Sequence, residues 1–173
     1  MIPAISPSSE RTGCSLMSEF TGTLTSPVGP LHLEATQRGL SALRFPHRTP
    51  DAEKRMRDHP FITEAKQQLS AYFAGKLETF SVPLDWCGTA FQKSVWLALT
   101  AIPYGDTVTY ADVARAIKRP RSARPVGGAV GKNPLPIIVP CHRVIGTDQT
   151  LTGFTSGLDI KIRLLQLEGW EVL

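Results

Sequence analysis

Cysteine is scarce in this chain of 173 residues, and its count is odd: Cys14, Cys87 and Cys141. Three unevenly spaced cysteines do not make a disulfide framework. A reducing compartment is therefore expected, the cytoplasm or, in a eukaryote, the nucleus. No C-x-x-C pair and no second Cys/His pair stands near Cys141 and His142. Structural zinc takes four ligands, so no structural metal is expected, and nothing calls for a cofactor. A run of 18 apolar residues, the minimum for a membrane-spanning helix, is also missing. The opening MIPAISPSSERTGCSL lacks a basic stretch followed by an apolar one, so no secretory signal is expected. Finally, no acidic residue occurs from 113 to 147.

What is present is the composition of a soluble globular protein, 42% hydrophobic and 20% charged, in a length that suits one ordinary domain or two small ones. Residues 1–18 are rich in proline and serine and read as a disordered extension. Residues 19–87 read as an α+β support domain. FTGTLTSPVGPLHLEA and GLSALRF are short alternating runs broken by Pro/Gly turns, which suggests a small antiparallel sheet. TEAKQQLSAYFAG places Leu69, Tyr72 and Phe73 at helical spacing, with Glu64 expected in the first turn and Gly75 at the end. FSVPLD reads as one more strand.

From 88 to 173 helical signals dominate. Thr89-Ala90-Phe91-Gln92 is a capping box, and Phe91, Val95, Leu99 and Ile102 line one face of the helix it opens. Thr109-Tyr110-Ala111-Asp112 is a second box of that kind, opening a short helix through Val113 and Ile117. KRPRS breaks that helix, and Ser122 is expected to cap a third, ARPVGGAVGK. Two short helices about a tight turn have the outline of a helix-turn-helix. LPIIVP is expected to run extended and buried toward Cys141. A last helix, LDIKIRLLQLE, should close at Gly169.

Charge and chemistry both concentrate in this second half. Residues 1–85 carry nine basic and nine acidic side chains, whereas 86–173 carry ten and six, so the whole excess of +4 lies there. Arg115, Lys118, Arg119, Arg121, Arg124 and Lys132 make a basic run that is either a solvated face or a surface for a polyanion. Downstream, IVPCHRVIG sets a cysteine beside a histidine. A thiol with an ordinary pKa near ~8.5 is mostly protonated at neutral pH, and an imidazole held by a carboxylate can take its proton. Cys141, His142 and Glu168 are the candidates. Because neighbouring side chains diverge, a bridging water is a more natural link than direct contact.

PCHRVIG, with RPVGGAVGKNP upstream and LTGF…GL…K…LL…LEG downstream, resembles the O6-alkylguanine-DNA alkyltransferases. The likeness runs from about Gly88 to Gly169 and extends more weakly over Phe20 to Asp85. It implies a mixed α/β protein of two small domains: an N-terminal α+β, ribonuclease-H-like domain and a mainly helical, winged-helix-like C-terminal domain with a helix-turn-helix. It implies direct, irreversible and stoichiometric transfer of the alkyl group of O6-alkylguanine, and less well of O4-alkylthymine, to Cys141. His142 then matches the water-bridged base, Glu168 the carboxylate that orients it, and Asn133 the brace of the turn before the cysteine. Tyr110 matches the tyrosine that helps extrude the nucleotide and protonates the leaving guanine, and Arg124 the arginine that fills the vacated stack. Arg121, Ser122, Gly127, Gly128 and Lys132 belong to the expected DNA-facing set. Pro140, Val144 (through its carbonyl), Thr155 and Ser156 belong to the expected substrate pocket. The implied partner is double-stranded DNA bearing O6-alkylguanine, met by a monomer, with cooperativity left open.

Three positions depart from the family pattern. Pro125 follows Arg124 where alanine is common, and a residue before proline is biased away from helical dihedrals, so the third helix is expected to begin one residue later than in relatives. Phe154 stands where tyrosine is frequent. Ser156 stands where glycine is usual, which would narrow the pocket. The alternative to alkyl transfer is a non-catalytic module that binds alkylated DNA and recruits another pathway. Such proteins usually lack the cysteine present here.

Overall fold

The structure is a computed structural model that describes residues 18–45, 59–148, 150–151 and 153–171. The expected disordered extension lies outside the described residues apart from Ser18, whose hydroxyl donates to Glu34 Oε2 at 2.6 Å. The chain divides into two compact units, residues 1–87 and 88–173.

In the first unit, β1 (Phe20–Leu24), β2 (Leu31–Ala35) and β3 (Leu40–Arg44) form an antiparallel sheet in the order β1-β2-β3. Leu31, Leu33 and Ala35 of β2 alternate inward, as period-two patterning requires. Helix α1 (Pro60–Phe73) covers the sheet with Ile62, Ala65, Leu69 and Tyr72. It approaches β1 so closely at Gly22 that a Cβ there would lie 2.5 Å from Ile62 Cγ2. The helix starts earlier than its apolar spacing suggests, at a proline whose missing N–H costs nothing in a first turn. Glu64 therefore sits in the second turn, accepting from Gln68 Nε2 at 2.9 Å. Gly75, at φ +67°, ends the helix as expected. Its N–H reaches Tyr72 O and the N–H of Lys76 reaches Ala71 O, the paired bonds of a Schellman motif. FSVPLD does not form a strand. It makes one isolated bridge, Leu84 to Leu40, because Pro83 O and Asp85 N bond Leu40 while the N–H groups of Ser81 and Val82 are taken by the Gln68 side chain.

The second unit contains α2 (Ala90–Thr100), β4 (Val108–Thr109), α3 (Tyr110–Ala116), α4 (Ala123–Gly131), a 3₁₀ turn (Cys141–Arg143), β5 (Val144–Ile145) and α5 (Leu158–Leu167). Both expected capping boxes form, Thr89 with Gln92 and Thr109 with Asp112. Trp96 of α2 is buried, and its indole N–H donates to Ala129 O of α4 at 2.9 Å. The turn between α3 and α4 puts Lys118 in the left-handed region, φ 59°. Its N–H bonds Arg115 O and that of Arg119 bonds Ala114 O, a Schellman ending without glycine. β4 and β5 pair in parallel, Val108 with Val144 and Thr109 with Ile145. This joins the start of α3 to the residues just after the cysteine.

Two expectations about α4 need correction. Ser122 occupies the N-cap position, but its side chain makes no capping bond. The bias that Pro125 puts on Arg124 also does not take that residue out of the helix, which starts at Ala123, directly after Ser122. Ala123 and Arg124 are helical, and Pro125 sits in the first turn, where its absent N–H would have had no partner. The first bond it must not block, Val126 N to Ser122 O, is intact at 2.9 Å.

Candidate active site

The segment between α4 and the cysteine is a tight turn and not the extended run expected of LPIIVP. Val139 N bonds Leu135 O at 2.8 Å, and Pro136 bridges Val139. An apolar run is buried in either geometry, so periodicity cannot separate them. The turn forces Ile137 to φ 74° although it is β-branched and 1% exposed, an arrangement costing about 1–3 kcal/mol. Asn133 holds it shut from both sides. Its Nδ2 donates to Val139 O at 2.8 Å and its Oδ1 accepts from Leu135 N at 3.0 Å. Pro140 is buried and leads into the 3₁₀ turn of Cys141–Arg143.

Cys141 is 5% exposed. Burial pushes its thiol up to about 11, against a hydrogen bond from the Asn133 side chain and the positive charge of Lys161. The resting form is the thiol, so reaction needs a base. No hydrogen bond joins it to the His142 ring among the described residues. His142 is fully buried, and its Nε2 lies 2.8 Å from Glu168 Oε1. Its Nδ1 is buried without a hydrogen-bond partner among the described residues. Burial lowers its pKa below the ordinary histidine value, outweighing the hydrogen bond and charge of Glu168 that act to raise it.

Glu168 is the C-cap residue of α5, placed by the Schellman turn at Gly169. Burial would raise its carboxyl, but hydrogen bonds and charges from His142 and Arg143 prevail and hold it at about 2. Arg143 was not foreseen as a site residue, yet it grips both oxygens of Glu168, Nε to Oε2 at 2.8 Å and Nη2 to Oε1 at 2.9 Å. Lys161 was also missed. It is 1% exposed, and its Nζ donates to Val144 O at 2.6 Å. Desolvation lowers its pKa to about 8. A signal for Lys161 existed, since 161 falls on one helical face with Ile160, Leu164 and Leu165, all buried. The Val144 carbonyl expected to read guanine is thus engaged by Lys161.

Of the remaining expected residues, Tyr110, Arg124 and Gly127 line an open groove of about 560 Å³, together with Ala111, Ala123, Gly146, Thr147 and Asp148. Tyr110 packs where a Cβ on Gly127 would stand 3.8 Å from its ring. Arg121, Gly128 and Lys132 are exposed but do not line the groove, and Ser122 is half-buried. Thr155 Oγ1 donates to Gly131 O at 3.1 Å, tying its loop to the end of α4, and Ser156 is buried. Thr147 and Asp148 had no role in the motif reading.

A buried thiol next in sequence to a carboxylate-held histidine, in a unit that carries the chain's basic excess and an open groove bordered by Arg124, is suited to cysteine chemistry on a polyanion. Comparison with known proteins narrows this class. Residues 90–170 match the 6-O-methylguanine DNA methyltransferase, DNA binding domain, and residues 20–86 match the ribonuclease-like domain of the same proteins. The chain is 50% identical over 148 residues to the methylated-DNA--protein-cysteine methyltransferase of Methanosarcina barkeri, covering 84% of this chain and 94% of that one. It is also similar to the crystal structure of Mycobacterium tuberculosis O6-methylguanine methyltransferase, with a TM-score of 0.78, 46% identity, and coverage of 86% of this chain and 92% of that one. A structure of the Mycobacterium tuberculosis protein in complex with DNA matches with a TM-score of 0.77 and 46% identity, over 84% and 90% of the two chains. The chain belongs to the 6-O-methylguanine DNA methyltransferase family.

Proposed function

We propose that this protein repairs DNA by moving the alkyl group of O6-alkylguanine, and less readily of O4-alkylthymine, onto Sγ of Cys141, once per molecule. The observation that carries the reading is the His142 ring beside Cys141. Its Nε2 is held by Glu168, while its Nδ1 is buried with no partner among the described residues. A neutral imidazole so held has a lone pair at Nδ1, and a water between Nδ1 and Sγ would carry the thiol proton to it. The thiolate attacks the alkyl carbon, an S–C bond forms and the C–O6 bond breaks. Tyr110 supplies a proton to the departing guanine, which leaves poorly as an anion. A thioether gives no route back to thiolate, so one molecule acts once.

The groove residues serve the other requirement, access. The reacting atom is hidden in a duplex, and taking the base out costs a few kcal/mol. In this reading α3 and α4 are a helix-turn-helix on a winged-helix-like unit, with α4 in the DNA groove and Arg124 in the vacated stack. Arg121, Lys132 and the N–H groups near Ser122 meet phosphates, and Gly127 and Gly128 let the backbone come close. Asn133 braces the turn, and Pro140, Val144, Thr155 and Ser156 shape the pocket. The first unit is ribonuclease-H-like and supports the second, and the protein works as a monomer.

The test is DNA carrying labelled O6-methylguanine, supplied in excess. Transfer should stop at one methyl per protein, located on Cys141 by mass spectrometry. Cys141→Ala should abolish transfer while retaining DNA binding. Label that never leaves the DNA, with binding intact, would instead identify a recognition module.

A further inference from the structure

The proposed chemistry gives Arg143 no task, although it is nearly as buried as the histidine beside it. Its guanidinium is fixed on every side. Besides the two bonds to Glu168, Nη1 donates to Ile102 O at 2.6 Å, and Cζ lies 5.7 Å from the centre of the Tyr104 ring. Tyr104 is itself anchored, its hydroxyl donating to Leu167 O at 3.0 Å. Glu168 Oε1 is shared between Arg143 Nη2 and His142 Nε2, while Oε2 takes Arg143 Nε and the N–H of Gly105.

Charge balance gives this arrangement a consequence. A buried carboxylate facing only an imidazole is best neutralised by an imidazolium, which has no lone pair for a thiol proton. Here the carboxylate already has a permanent cation in fork geometry. A second positive charge on His142 would then be uncompensated in the same buried space, with Lys161 also near. The carboxylate can only accept, so the one N–H of a neutral ring is directed to Nε2 and the lone pair to Nδ1.

We propose that Arg143 is a positioning residue that acts through Glu168, holding His142 as the neutral Nε2–H imidazole whose Nδ1 receives the Cys141 proton. This rests on the reading of Cys141 as acceptor and His142 as its base. The groups facing His142 are Cys141 and Arg143 on its own turn and Lys161 and Glu168 on α5. Once the proton arrives, the new thiolate offsets the new imidazolium, so the step redistributes charge within the site without adding any.

Nitrogen-15 NMR of histidine-labelled full-length protein reads both properties. An imidazolium gives two similar ring-nitrogen shifts, and a neutral ring gives two well-separated ones that also identify the tautomer. The wild type should show His142 neutral and Nε2–H at pH 7. Arg143→Gln should move the titration of His142 upward, slow methyl transfer about tenfold at pH 7, and shift the acid limb of the rate profile to higher pH by a matching amount. Raising the pH should then recover the rate. Arg143→Lys keeps the charge without the fork and should keep the ring neutral with most of the rate restored. Should the glutamine variant fail to fold, the wild-type and lysine spectra decide. An imidazolium or an Nδ1–H ring at pH 7 in either overturns the proposal. So does a folded Arg143→Gln protein that is slower equally at all pH with an unchanged His142 titration, the signature of a purely structural arginine. If label still reaches Cys141 in the wild type, such results remove only the role of Arg143. No label on Cys141 would instead remove the reading beneath it.

Discussion

Glu168 is fully enclosed and has a carboxyl held at about 2, so it links the site to the pH stability of the whole unit. A carboxylate whose folded pKa lies below its unfolded value near ~4.3 contributes stability that is complete above that value. The contribution is lost as pH falls toward the folded pKa. His142 has the same sign, since its folded pKa is also depressed and acid protonates it preferentially in the unfolded chain. The thermal midpoint should therefore fall on acidification, steeply between about pH 4.5 and 2. Glu168→Gln should lower stability at neutral pH by about 3–5 kcal/mol, because Arg143 is left buried and uncompensated. It should also flatten the acid limb. Melts across pH check both, and parallel limbs in wild type and variant would show that another group governs acid unfolding. At this scale the sequence is uneven to read. Cys141 and His142 stand out because two reactive side chains are adjacent. Arg143 does not, because its carboxylate lies 25 residues away and an arginine in a basic half of the chain looks unremarkable.

Among the elements, α4 is where the proposed DNA contact and stability would pull apart. Gly127 and Gly128 sit mid-helix, where glycine costs about 1 kcal/mol against alanine. Nothing lies within 4 Å of a Cβ built on Gly128, and the position is exposed. The folded protein alone therefore gives no reason for glycine there. Gly128→Ala should raise stability by about 0.5–1 kcal/mol and weaken binding to duplex DNA. A calorimetric midpoint and a titration with duplex measure the two effects, and unchanged affinity would place Gly128 away from the DNA. Elements with local signals were readable in advance: both capping boxes, the α5 ending at Gly169 and the antiparallel sheet. Those that depend on one particular side-chain brace or on a distant partner were not. The turn at Ile137 is imposed by Asn133, and β4 with β5 is two residues long on each side of a parallel pair.

For the molecule as a whole, charge is partitioned as the units are. The first half is balanced and the second holds the entire surplus, so attraction to DNA should be a property of the second unit and strongly dependent on salt. Arg121→Ala should weaken duplex binding modestly and reduce the salt slope by about one. Arg124→Ala, at the groove beside Tyr110, should cost more in transfer rate than in affinity, because an empty stack favours return of the base. That excess loss should shrink on single-stranded substrate, where there is less stacking to overcome. Equal losses for the two variants on both substrates would reduce Arg124 to a phosphate contact. The two-part organisation was legible in composition, because turn-rich alternation gives way to capped helices after Trp86-Cys87-Gly88.

The bond from Trp96 to Ala129 has an optical consequence. An indole enclosed by apolar side chains, with its N–H fastened to the inner face of α4, should emit at short wavelength, and its colour depends on that helix staying in place. If α4 shifts when a duplex is seated, the emission should change with it. In a variant stripped of Trp86 and Trp170, the remaining chromophore would report engagement from inside the core without an added dye.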